Sequence, residues 1–159
     1  MMTPEAVPED DRLARLRGWL LALLAIGLVG VTADLILLKH FEDSWQLVPL
    51  VLIGLAGGAI VWFLLGGGGP SLRLLQVTMG LFLVAGIVGV VLHYRGNLEF
   101  QLEIDASQHG WNLFSKVIHA KAPPALAPGA MAQLGLLGLA YLYRHPVLGR
   151  GASSTHEGV

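Results

Sequence analysis

Four stretches of this chain, residues 16–38, 47–65, 72–94 and 125–143, carry almost no charge, and each approaches the roughly 20 residues that cross hydrocarbon. Lipid offers the backbone no hydrogen-bond partners, so such runs are confined to conformations that satisfy every amide internally. Charged residues are only 13% of the chain against 54% hydrophobic, and they fall between the stretches, where a soluble domain would spread them along exposed faces. The pattern predicts an all-α membrane protein, a four-transmembrane-helix bundle with a short strand and an interfacial helix in its outer loop.

The same boundaries divide the chain into one domain and two tails. Residues 1–15 and 146–159 are expected to be disordered cytoplasmic tails, and residues 16–145 the transmembrane domain, with a long outer loop at 95–124. Val31, Thr32 and Ala33 loosely resemble a signal-peptidase site. The apolar run continues past them through Leu38, longer than a signal core, so the first helix is expected to stay.

Orientation follows from the basic residues. With a cytoplasmic N-terminus, Arg12, Arg15, Arg17, Arg73, Arg144 and Arg150 lie inside, against Lys39, Arg95, Lys116 and Lys121 outside. That bias predicts an integral, multi-pass protein of a plasma (inner) membrane with both termini in the cytoplasm. Pro49, Pro70 and Pro128 stand near the starts of spans two, three and four, where a missing amide hydrogen costs little, and Pro146 closes the last. Trp19, Trp45, Trp62, Tyr94, Tyr141 and Tyr143 stand at the expected interfaces. The run Gly66 to Gly69 lacks the lysine and hydroxyl of a phosphate-binding loop and reads as a turn.

Within the outer loop, Leu98, Phe100, Leu102 and Ile104 alternate with Glu99, Gln101, Glu103 and Asp105, the period of a half-buried strand. A lone strand needs a partner, which the Phe41 to Gln46 segment or another protomer or protein would provide. Beyond it, Trp111, Phe114, Val117 and Ile118 recur at helical spacing, with Ser107 as a cap and Lys116 and Lys121 toward the polar side.

Glycines recur three apart in every span: Gly27 and Gly30, Gly54 and Gly57 with Gly58 beside them, Gly86 and Gly89, Gly135 and Gly138. Small residues let helix backbones approach in lipid, so these nine are expected at helix contacts. Gly27, Gly30 and Asp34 share one helical face, and Gly86, Gly89 and His93 repeat the same offsets. If spans one and three touched through those faces, Asp34 and His93 would meet near the outer surface, a pattern that suggests a duplicated two-helix unit.

Asp34 is the only acid inside a span, and an ionised carboxylate there must be paired, hydrated or protonated. His40, Glu42, Asp43 and His93 collect on the same outer side. Imidazole with carboxylate suits a divalent transition metal, and His93 with His40 offers haem axial ligands in principle. No His-x-x-x-His or His-Glu-x-x-His spacing is present, so no cofactor is predicted outright; a divalent metal or haem is the alternative. Gln76, Thr78 and Gln133 add polar groups within spans three and four.

Function is therefore bounded more by exclusion than by motif. Ten Lys and Arg against eleven Asp and Glu leave no excess charge for nucleic acid. The absence of cysteine rules out disulfides, thiolate metal sites and c-type haem attachment. No nucleophile arrangement is recognisable. The expectation is a non-catalytic accessory, sensory or assembly subunit whose partners are the bilayer and a membrane protein or second copy of itself. The alternatives are an outer-face metal or proton site using Asp34 and His93, and a self-assembling transporter.

Overall fold

The computed structural model describes residues 9–39, 44–120 and 125–153, with side chains described as far as residue 149. Six α-helices account for nearly all of them: α1 (Glu9–Leu37), α2 (Ser44–Trp62), α3 (Gly68–Ile104), α4 (Gly110–Ile118), α5 (Leu126–Leu142) and α6 (Pro146–Ser153). Helix α1 starts well before its apolar run. Glu9, Asp10 and Asp11 occupy its first turn, where carboxylates complement the exposed amides and the positive end of the helix dipole.

The four-span bundle with a strand is not what forms. Among the described residues, two helical stretches are long and apolar enough to cross a membrane, Glu9–Leu37 and Ser44–Ile104. Spans two and three fall within one helical stretch, in which α2 and α3 meet at a kink over Phe63–Gly67 where Gly66 leaves the helical backbone conformation. The stretch bends at Gly66, and α2 packs back along α3. Gly66 has φ 97° and Gly68 has φ 58° with ψ −142°, conformations that a Cβ disfavours and that these positions meet by having none. The expected fourth span is a helix of 17 residues, about 25 Å at 1.5 Å per residue, and so shorter than the roughly 30 Å hydrocarbon layer.

The predicted strand at residues 98–105 is the end of α3, and no strand occurs among the described residues. At 100° per residue the alternating set divides into two helical stripes. Leu98 and Leu102 are half-buried, whereas Phe100 and Ile104 are exposed. Glu, Gln and Leu are good helix formers, and only Gly96 interrupts them, so continuing α3 costs less than starting an unpaired strand. Asp105 ends the helix by accepting hydrogen bonds from the Ser107 amide (3.0 Å) and hydroxyl (2.6 Å). Those bonds hold the Asp105 carboxyl below its ordinary pKa. The strand's suggested partner also falls away: residues 41–43 lie outside the described residues, and α2 begins at Ser44.

The core lies around α5. Gly86 faces the Pro128 carbonyl and Ala132, Gly89 faces the Pro128 ring, and Gly135 faces Met79 and Phe82. The early part of α5 therefore meets the later part of α3 and the reverse, an antiparallel crossing. On its other side α5 packs against α1, where Gly27 abuts Leu134 and Leu24 reaches Gly138. Leu24, Leu72, Leu75, Met79 and Phe82 are fully buried. Gly30, Gly54, Gly57 and Gly58 have open space where a Cβ would stand.

Buried hydroxyls are satisfied by their own helices. Thr78 donates to the Leu74 carbonyl (2.9 Å) and Ser71 to that of Gly68 (2.7 Å). Gln76 and Gln133 face outward.

Candidate functional site at the arginine-rich end

The outer cluster predicted from sequence is only partly within view. His40, Glu42 and Asp43 lie outside the described residues. Asp34 is exposed near the end of α1, and His93 is half-buried on α3. The His93 Nδ1–H donates to the Gly89 carbonyl at 2.9 Å, because a carbonyl only accepts, and this leaves Nε2 as the acceptor nitrogen of the neutral ring. The glycine faces meant to bring the two residues together are both turned to α5: Gly27 to Leu134, Gly86 and Gly89 to Pro128. No three His, Asp or Glu residues converge on a metal-sized site among the described residues.

Helix α4 forms where the Trp111, Phe114, Val117 spacing put it. Its Val117 is fully buried against α3, with the Asn97 side-chain amide donating to the Val117 carbonyl at 3.3 Å. Phe114 lies 5.2 Å from the Trp111 ring and 6.3 Å from that of Tyr94. Ser107 does not cap α4, since it is held by Asp105, and His109 takes the N-cap position without a side-chain bond. Lys121 lies outside the described residues.

A different constellation assembles at the opposite end, where α1 begins and α5 finishes. Arg144 has φ 47°, a left-handed turn residue, and its reversal stops α5 and sets α6 going. The reversal drives His145 inward until it is 8% exposed. Its ring lies 5.3 Å from that of Tyr141 and 5.7 Å from that of Phe63, the latter nearly perpendicular at 85°. The Val147 amide donates to His145 Nδ1 at 3.4 Å, so the neutral ring carries its proton on Nε2. Burial, and then the positive charge of Arg17, lowers the His145 pKa below the ordinary histidine value.

Half-buried Arg17 reaches across from α1 and donates from Nη2 to the Arg144 carbonyl at 3.1 Å. Between the two elements is an open cleft of about 270 Å³, lined by Ala14, Arg17, Gly18, Tyr141, His145 and Pro146, with Leu21 at its apolar side. No carboxylate lines it. Its polar groups are a guanidinium, a phenol and an imidazole protonated on Nε2, a donor-rich set suited to an anion.

Sequence reading used Arg17, Tyr141 and Arg144 only as topology markers and did not single out His145. The available signal was the Tyr-x-x-x-His spacing from Tyr141 to His145, which puts a second ring one turn on from the first just as the apolar run ends.

The chain matches no family model, no curated protein and no solved structure, so geometry alone carries the functional reading.

Proposed function

We propose that this chain is a multi-pass integral membrane protein with both termini on the cytoplasmic side, acting as a non-catalytic accessory or assembly subunit. The supporting observation is its outward apolar surface. Leu23, Ile26 and Val29 of α1, Val51 of α2, and Val77 and Ile87 of α3 are large hydrophobics left exposed. Water penalises such faces at about 25 cal/mol per Å², whereas lipid does not. The Arg17 to Arg144 hydrogen bond favours placing both ends of the chain on one side, the side that the arginine bias makes cytoplasmic.

The partner surface in this reading is the outer platform formed by the end of α3 and α4. Phe100, Ile104 and Trp111 expose large apolar side chains there, beside polar Glu99 and Glu103. A membrane protein, or a second copy of this chain, would cover them.

The absence of cysteine makes the test direct, because single cysteines can be added without background. Membranes holding the protein are washed in alkaline carbonate, and Arg12→Cys and Gln108→Cys variants are treated with an impermeant maleimide. The expected result is retention in the pellet, with residue 108 labelled from outside and residue 12 only after lysis. Release by carbonate, or labelling of both positions from one side, would overturn the reading. Photo-crosslinking from position 111 addresses the partner, with position 73 as the opposite-side control.

A further inference from the structure

The cleft between α1 and the α5 to α6 reversal combines three things that a phosphate-bearing amphiphile needs. The first is a set of donors among the lining residues: the Arg17 guanidinium, the Tyr141 hydroxyl and the Nε2–H of a His145 ring whose Nδ1 is occupied by the Val147 amide. The second is the lack of any carboxylate among the lining residues. The third is an apolar wall, Leu21, which packs against the core beside the cleft.

Size and position narrow the ligand. At about 270 Å³ the cleft sits near the lower bound of small-molecule sites, which begin at roughly 300 Å³. A nucleotide cofactor would exceed it, whereas a phosphate headgroup with its glycerol is of a size to enter. Trp19, 69% exposed and adjacent to Gly18, and Tyr143, 68% exposed beside Arg144, are the kind of rings that settle at headgroup depth. Arg12 and Arg15 stand early in α1, with Glu9, Asp10 and Asp11 before them, and Arg73 stands early in α3; anionic lipids populate the cytoplasmic leaflet that this end faces in the membrane reading above, on which this inference rests.

We infer that the Arg17, Tyr141 and His145 cleft is a binding site for the phosphate headgroup of an anionic phospholipid. Gly18 supplies a way to test it without touching a polar group. A Cβ at Gly18 meets nothing within 4 Å, so a larger side chain enters open space beside the cleft while the helix gains propensity.

The experiment uses the full chain in a neutral detergent. Short-chain phosphatidylglycerol, phosphatidylcholine and inorganic phosphate are titrated separately, and bound lipid is counted by native mass spectrometry beside the thermal midpoint. The expected result is one phosphatidylglycerol retained and a raised midpoint, with neither effect from phosphatidylcholine. Arg17→Gln and Gly18→Leu should each weaken retention about tenfold or more, and Arg73→Gln, which removes an exposed charge at the same end, should not. Gly18→Leu keeps Arg17 and its bond to Arg144, so a folding defect in Arg17→Gln leaves the inference open to refutation. Equal retention in Gly18→Leu and wild type, equal retention of phosphatidylcholine, or an equal effect of inorganic phosphate would overturn it. Carbonate washing of the same preparation separates the two readings. A protein that stays in the membrane but retains no phosphatidylglycerol loses only the lipid site, whereas a released protein loses both.

Discussion

Arg17 of α1 and Arg144 at the end of α5 are joined by a hydrogen bond from guanidinium Nη2 to backbone carbonyl, 3.1 Å long, between residues 127 apart in sequence. The bond closes the chain on itself and satisfies a carbonyl that the end of α5 leaves without an intrahelical partner. Replacing Arg17 by Met keeps the aliphatic stem and removes the donor. The expected loss is about 1 kcal/mol, since the bond is partly solvated, read as a lower midpoint in detergent-mediated unfolding.

The glycines of α2, α3 and α5 divide into two groups by what surrounds them. A Cβ at Gly86 would stand 2.8 Å from the Pro128 carbonyl, and one at Gly135 would stand 2.8 Å from that of Met79. Backbone cannot step aside as a side chain can, so Gly86→Ala and Gly135→Ala should each cost about 1–3 kcal/mol. Gly54→Ala and Gly57→Ala, with nothing within 4 Å, should be neutral or slightly stabilising. Parallel unfolding curves of the four variants check the contrast.

At the bend between α2 and α3 the cost is conformational. Gly66→Ala and Gly68→Ala place a Cβ at positive φ, worth about 1–2 kcal/mol each, with Gly68 the more sensitive because its ψ of −142° lies outside the left-handed helical well. Gly69→Ala meets only the Val147 carbonyl at 3.8 Å and serves as the control. Equal midpoints for all three variants would contradict the conformational account.

Stability should depend on pH through His145. Its folded pKa lies below the unfolded value of 6.5, so the unfolded chain binds the proton first as pH falls. The contribution is fully present above about pH 6.5 and is lost as the pH drops from there toward the folded pKa. His145→Phe should flatten that slope between pH 7 and 5 in midpoint measurements. Asp105 acts lower on the scale: its depressed pKa gives a contribution present above the ordinary value of 3.8 and lost as pH falls through the folded value. Asp105→Asn removes that second slope.

Helix content was legible because long uncharged apolar runs leave marks in a single sequence, whereas of the nine glycines expected at helix contacts Gly30, Gly54, Gly57 and Gly58 meet open space. The strand error has a definite cause. Leu98, Phe100, Leu102 and Ile104 satisfy both a period of two and a pair of i, i+4 stripes, and only the uninterrupted run from α3 decides between them. The four-span count is not supported, because spans two and three fall within one helical stretch kinked at the glycine run that reads as a turn, and the last apolar run folds into a shorter helix. The cleft was hidden more deeply. Arg17 and His145 are brought together by a left-handed Arg144, and a lone positive φ at a non-glycine residue leaves no sequence signature.

Helix α3 runs for 37 residues without interruption, about 55 Å at 1.5 Å per residue, which exceeds a hydrocarbon layer of roughly 30 Å by several turns. It begins beside α6 and finishes beneath α4. A rod with no joint cannot tilt at one end alone. A load applied to Phe100 on the far side is therefore delivered as leverage to the Gly69 end, next to Val147 of α6, with no relay of side chains in between.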